Sequence, residues 1–170
     1  MSKINTKIRH RATAIIYKDE KLLLFRRVKP NAEYFVFPGG GTNEGETIEE
    51  ALLREVQEEL SLDVLKYDYL FTIKDLKINN SAINYSTDPQ DHHYFLITEF
   101  HGVPELGGPE KESADENNKY FIEWHTFNQL NCIQNIYPGN IVSKLMESMS
   151  RSSPENMSSM SPKSQSFLLV

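Results

Sequence analysis

The chain has 170 residues, 25 % of them charged, and a formal net charge of −6. That length is one domain able to bury roughly two thirds of its unfolded surface, and the negative balance argues against a nucleic-acid polymer as partner, because such binding relies on Lys and Arg neutralising phosphates. Cys132 is the only cysteine, which excludes an intrachain disulfide and fits a reducing, cytoplasmic compartment. No apolar run reaches the roughly 18 residues of a membrane span, so no membrane partner is expected, and the polar start lacks the apolar core of a signal peptide.

In chain order, residues 12–17 read as a strand, Lys18-Asp19-Glu20 as a turn, and 21–27 as the hairpin partner. Arg26 and Arg27 close that second strand, where they would either meet substrate phosphates or keep a surface solvated. The aromatic run 34–37 enters Pro38-Gly39-Gly40-Gly41, whose consecutive glycines let backbone approach a ligand closely. Phe35 and Phe37 there, and Tyr137 later, would enclose a base or pack as core.

A helix is predicted from about Thr47. Ile48, Ala51, Leu52, Val56 and Leu60 recur at helical spacing and form its apolar stripe, while Glu55, Glu58 and Glu59 stand at i, i+3 and i+4, on one face. Like charges so placed cost a few tenths of a kcal/mol per pair. A cation is expected to offset them, and Mg²⁺ or Mn²⁺ suits carboxylate oxygens while keeping positions for water and phosphate. A merely solvated acidic face would explain neither the preceding glycines nor Glu46.

Beyond the helix, 64–76 reads as a strand, 79–91 as a polar loop and 92–100 as another strand. His92 and His93 alternate across that strand, so both cannot serve one metal; they read as structural or substrate-adjacent. Residues 102–119 form a long loop rich in glycine, proline and acid, a type that often carries function. A strand over 120–125 and a closing helix over 138–149 complete a domain spanning 1–149. Residues 150–170 turn to Ser, Met, Pro, Lys and Asn, a composition that cannot fold alone and reads as a disordered tail. Its apolar end, Phe167-Leu168-Leu169-Val170, resembles the C-terminal signals of some bacterial type IV secretion substrates.

The run from Gly40 through Glu46, Arg54, Glu55, Val56, Glu58 and Glu59 to Leu62 resembles the Nudix box. With each of six fixed positions at a frequency of roughly 6 %, a chance match is on the order of one in 10⁵. The one departure is Ser61, where the pattern has glycine just past the helix end. The resemblance covers residues 8–149 and implies an α/β/α sandwich around a mixed β-sheet, with hydrolysis of a nucleoside diphosphate linked to another group. Carried over by position, the Gly39 carbonyl and Glu55, Glu58 and Glu59 would hold Mg²⁺ or Mn²⁺, with Glu46 and Arg54 forming an orienting ion pair. The general base would be Glu55 or a glutamate of the long loop, Glu110 or Glu112 ahead of Glu116.

Substrate markers are sparse. Lys77 to Asn80 carry neither the proline typical of ADP-ribose hydrolases nor the tyrosine of diadenosine polyphosphate hydrolases. The run Glu123 to Asn131 with Tyr137-Pro138-Gly139-Asn140 is similar to the C-terminal part of MutT-type enzymes, which remove oxidised guanine nucleotides. In that likeness Asn140 would read the base; alternatively it caps the following helix. The small-molecule substrate expected is a nucleoside triphosphate, oxidised or not, cleaved to the monophosphate and pyrophosphate. ADP-ribose or another nucleoside diphosphate derivative is the alternative, and a nucleotide-sensing module without catalysis the non-enzymatic one.

Overall fold

The computed structural model describes residues 8–76 and 89–151. Continuous apolar runs, buried on both faces, form β1 (Arg9–Lys18) and β2 (Lys21–Lys29), joined by Asp19 and Glu20, both at positive φ. Two such residues give a turn whose twist matches that of the flanking strands. The two strands pair only at this turn, Tyr17 with Leu22 and Lys18 with Lys21. Farther out they part, and each finds other neighbours.

β1 runs parallel to β6 (Gln90–His101) and antiparallel to β4 (Gly39–Gly41). β2 runs antiparallel to β3 (Ala32–Val36) and to β7 (Lys119–His125). β5 (Asp63–Leu76) and β8 (Ile136–Tyr137) close the edges, so that among the described residues eight strands make one mixed sheet: six in the order β5-β6-β1-β2-β3-β8, with β4 on β1 and β7 on β2 off that path. The triple glycine, read from sequence only as a loop, is thus a short strand on β1, and β8 was not foreseen.

Strand alternation sends side chains to two cores. Ala12, Ala14 and Ile16 of β1 face α1 (Ile48–Leu60) and bury its Ala51, Leu52, Val56 and Leu60. Ile15 and Tyr17 face the other way, onto Leu130 of α3 (Phe127–Leu130) and Ile141, Val142 and Leu145 of α4 (Ile141–Arg151). Helices therefore cover both faces, the α/β/α arrangement expected. The long loop is not wholly irregular: it carries a short helix, α2 (Gly108–Glu112). The closing helix starts at Ile141 rather than 138 and runs to Arg151, so Ser150 and Arg151 belong to its last turn, not to the tail. The remainder of that tail, and most of the loop expected over 79–91, lie outside the described residues. No helix among the described residues is long and apolar enough to cross a membrane.

Candidate functional site

Thr47 caps α1: its hydroxyl accepts from the Glu50 amide while the Glu50 carboxylate accepts from the Thr47 amide, a capping box that fixes where the helix starts. From there the acidic residues take positions set by the apolar stripe. Glu59 is buried, 4 % exposed, and its Oε2 accepts a hydrogen bond from the Gly39 amide at 2.7 Å. Glu55 is half-buried against Gly40, and Glu58 lies on the exposed side. The three carboxylates thus fan from core to solvent rather than lying level on one face. Among the described residues no three His, Cys, Asp or Glu side chains form a ready-made metal centre.

The glycines make this approach possible. A Cβ at Gly40 would stand 2.0 Å from Glu55 Oε1, and one at Gly39, whose φ is +136°, would stand 2.1 Å from the Ala12 carbonyl oxygen. Only glycine admits both contacts.

Arg54 organises the cluster. Its Nε and Nη2 donate to the two Glu46 oxygens at 2.7 and 2.9 Å, Nη1 donates to Glu55 at 2.7 Å and Glu58 at 3.2 Å, and Nη2 also reaches the Gly41 carbonyl at 2.9 Å. The paired bonds from Arg54, helped by the Asn43 amide, hold the Glu46 carboxyl down to about 2. Arg54 and Glu46 thus form an ion pair, and Arg54 fastens the glycine strand to the helix as well.

Burial pushes the Glu59 carboxyl well above its ordinary value, and the neighbouring charge of Glu110 pushes it further. Burial also raises Glu55, against the opposing pull of Arg54 and Arg11. Glu110 reaches the cluster because its loop is docked on the end of α1: the Glu105 amide donates to the Leu60 carbonyl at 3.0 Å and the Gly107 amide to the Glu59 carbonyl at 2.9 Å. Its Oε2 is buried and has no hydrogen-bond partner among the described residues. Glu112 and Glu116, by contrast, are exposed.

The Gly39 carbonyl and the carboxylates of Glu55, Glu58 and Glu59 are hard oxygen donors of the kind a divalent cation takes, and in the loop docked beside them a buried Glu110 oxygen has no hydrogen-bond partner among the described residues.

On the other face of β1 a cavity opens, lined by Arg11, Thr13, Phe37, His92, Tyr137 and Pro138 among others. Phe37 is buried in its wall. Burial holds the His92 imidazole down to about 4, with Arg11 adding to the effect, so the ring is neutral near pH 7. The buried Thr13 hydroxyl has no hydrogen-bond partner among the described residues. Sequence reasoning passed over Arg11 and Thr13, because nothing in the composition of β1 says that it will lie beside the glycines; only the pairing of Arg11 with Gly41 and Thr13 with Gly39 does.

Arg26 and Arg27 are already engaged within the sheet. Arg26 donates to Glu123 at 2.6 Å and lies over the Phe121 ring, while Arg27 donates to Asn118 at 2.9 Å and lies over Tyr120. His92 and His93 face opposite ways as expected: His93 contacts His10 at 3.1 Å and Thr72 at 2.8 Å. Asn140 is exposed just before α4, and its carbonyl accepts from the Lys144 amide at 3.2 Å. Its side chain makes no hydrogen bond to another described residue.

Residues 8–144 match the model of the NUDIX domain. An ADP-ribose pyrophosphatase of Methanocaldococcus jannaschii is 31 % identical over 117 residues, 68 % of this chain and 62 % of that protein. An 8-oxo-dGTP diphosphatase of Proteus vulgaris is 37 % identical over 71 residues, 39 % of this chain and 53 % of that protein. This chain thus matches less than two thirds of the length of either relative. Among solved structures, the MutT NUDIX hydrolase of Burkholderia pseudomallei is similar in fold, with TM-score 0.55 and 22 % identity over 72 % of this chain and 85 % of that one.

Proposed function

The chain belongs to the Nudix family, and on that premise we propose that it is a divalent-metal-dependent pyrophosphohydrolase acting on a nucleoside diphosphate-linked substrate. The observation that carries this reading is the seating of Glu59 and Glu55 against Gly39 and Gly40, with Arg54 fixing Glu46, Glu55 and Glu58. A pure binding module has no need for every one of these carboxylates. Glu55, Glu58, Glu59 and the Gly39 carbonyl would hold Mg²⁺ or Mn²⁺. Bound there, the ion would neutralise phosphate oxygens and lower the pKa of a water.

The chain's own groups do the rest. Arg54, occupied by three carboxylates, orients rather than reacts. Glu110 is the favoured general base over Glu112, because its carboxyl reaches the cluster while that of Glu112 faces solvent. Phe37 and His92, in the wall of the small cavity beside β1, would border the nucleoside. Asn140, two residues past the cavity-lining Pro138, keeps a base-reading role as a candidate, and Arg26 and Arg27 would reach phosphate only by leaving their present partners.

Among substrates, a nucleoside triphosphate and ADP-ribose are both supported by relatives' names, 8-oxo-dGTP diphosphatase and ADP-ribose pyrophosphatase. The triphosphate is favoured by the likeness around Tyr137-Pro138-Gly139-Asn140. A screen of 8-oxo-dGTP, dGTP, dATP and ADP-ribose with Mg²⁺ and with Mn²⁺, reading phosphate products, tests both. Glu110→Gln should lower kcat by at least about 10²-fold and Glu112→Gln by less than about 3-fold; equal effects would remove Glu110 from the role, and no turnover of any substrate would favour the binding module.

A further inference from the structure

Arg11 stands where the two halves of the site meet. Its Nη2 donates to the Gly39 carbonyl, and its charge reaches Glu55, Glu59 and His92. The same side chain lines the cavity beside Thr13 and Phe37. Arg54 has its donors committed to Glu46, Glu55, Glu58 and Gly41, which leaves the Glu59 side of the cluster to the Gly39 amide and to Arg11.

We infer that Arg11 is a resident counter-ion of the acidic cluster, and that its guanidinium and a divalent cation compete for the Gly39 carbonyl. The inference rests on the metal-dependent reading above. Both partners draw on the electron density of one carbonyl oxygen and on the same negative field. Two cations a few ångströms apart in a partly dry place repel strongly, because little solvent lies between them to screen the charges. A cation that binds Gly39 therefore pushes the guanidinium off it. The backbone of β1 is anchored by its pairing with β4 and β6, so the side chain alone must move, swinging off the Gly39 oxygen toward the side of β1 that carries Thr13 and His92. There a displaced guanidinium meets whatever anionic group a ligand brings between cavity and cluster, with the fork geometry suited to phosphate.

The test is Mn²⁺ binding followed by calorimetry on the whole chain, without nucleotide. Arg11→Met should tighten Mn²⁺ by roughly 10-fold, the repulsion being relieved only in part because water screens it. Arg11→Lys, a second variant that keeps charge but loses the fork, should tighten it by about 3-fold or less. In crystals grown with Mn²⁺ the Arg11 Nη2 to Gly39 contact should be broken, and in crystals grown with EDTA retained. Unchanged Mn²⁺ affinity in both variants, or a contact that persists with Mn²⁺ on the Gly39 oxygen, would overturn the role of Arg11 while leaving the metal-dependent reading intact. If the unaltered chain binds no Mn²⁺ at all, the metal reading itself fails and takes this inference with it.

Discussion

The Glu59 carboxylate and the Gly39 amide are joined across the seam between α1 and β4 by a buried hydrogen bond of 2.7 Å. One glutamate is thus both a strut between helix and sheet and a candidate cation ligand. Glu59→Gln keeps the shape and an acceptor for the amide, so the protein should fold while kcat falls by at least about 10²-fold with Mg²⁺ present. The pH dependence separates charge from shape. Because the folded carboxyl is raised above its ordinary value of 4.5, the folded state binds its proton more tightly than the unfolded one. Its contribution is fully present below 4.5 and is lost as pH rises through the folded pKa. Thermal melts in EDTA from pH 4.5 upward should show this loss in the unaltered chain and a flatter profile in Glu59→Gln; identical profiles would refute it.

Arg54 makes two parallel bonds to Glu46, at 2.7 and 2.9 Å, while also holding Glu55. Lysine offers one point charge and no fork. Arg54→Lys should therefore lower kcat by about 10- to 100-fold and stability by about 1–3 kcal/mol, measured by turnover and by denaturant titration. Retained activity would mean that Glu55 keeps its place without the guanidinium.

Two neighbouring glycines should fail differently. A methyl at Gly40 collides with the Glu55 carboxylate, the movable end of a side chain, whereas a methyl at Gly39 collides with the Ala12 backbone in a conformation that L-residues avoid. Gly40→Ala is expected to fold, to lose about 1 kcal/mol or less, and to lose most activity as Glu55 is displaced. Gly39→Ala is expected to lose about 3 kcal/mol or more. The order of the two melting temperatures decides it.

Ser61 ends α1 with φ +56° and ψ +34°, its amide donating to the Gln57 carbonyl. A left-handed residue with a Cβ is strained by about 1–2 kcal/mol. Ser61→Gly should raise stability by about 0.5–1 kcal/mol without changing kcat/KM, since no candidate ligand is touched. A loss of stability would show that the serine hydroxyl holds something glycine cannot.

Much of this was legible in residue order. The apolar spacing of Ala51, Leu52, Val56 and Leu60 announced the helix and its buried face, and all four are fully buried. The Glu46 and Arg54 pair followed from the motif. What could not be read was depth: spacing put Glu58 and Glu59 on adjoining positions, but only packing against β1 and β4 decides that Glu59 is buried and Glu58 wet. Neither could Glu110 be told from Glu112 or Glu116 by composition, because the choice depends on where the loop is pinned. Arg11 was invisible for a related reason, since strand pairing over a distance of about 30 residues is written in no local pattern. The short β4 was hidden by its composition, three glycines being a poor strand by propensity.

The pinning of the Glu110 loop also fixes how this corner of the molecule breathes. The Glu105 and Gly107 amides satisfy the last carbonyls of α1, and a Cβ at Gly107 would stand 2.4 Å from the Glu58 carbonyl oxygen, so loop and helix end are in direct backbone contact. An excursion of the loop must break the bonds that terminate the helix. In hydrogen exchange the amides of Glu105 and Gly107 should therefore open together with the last turn of α1, as one cooperative unit, and Glu110 travels with Glu58 and Glu59 instead of swinging over them as a separate flap.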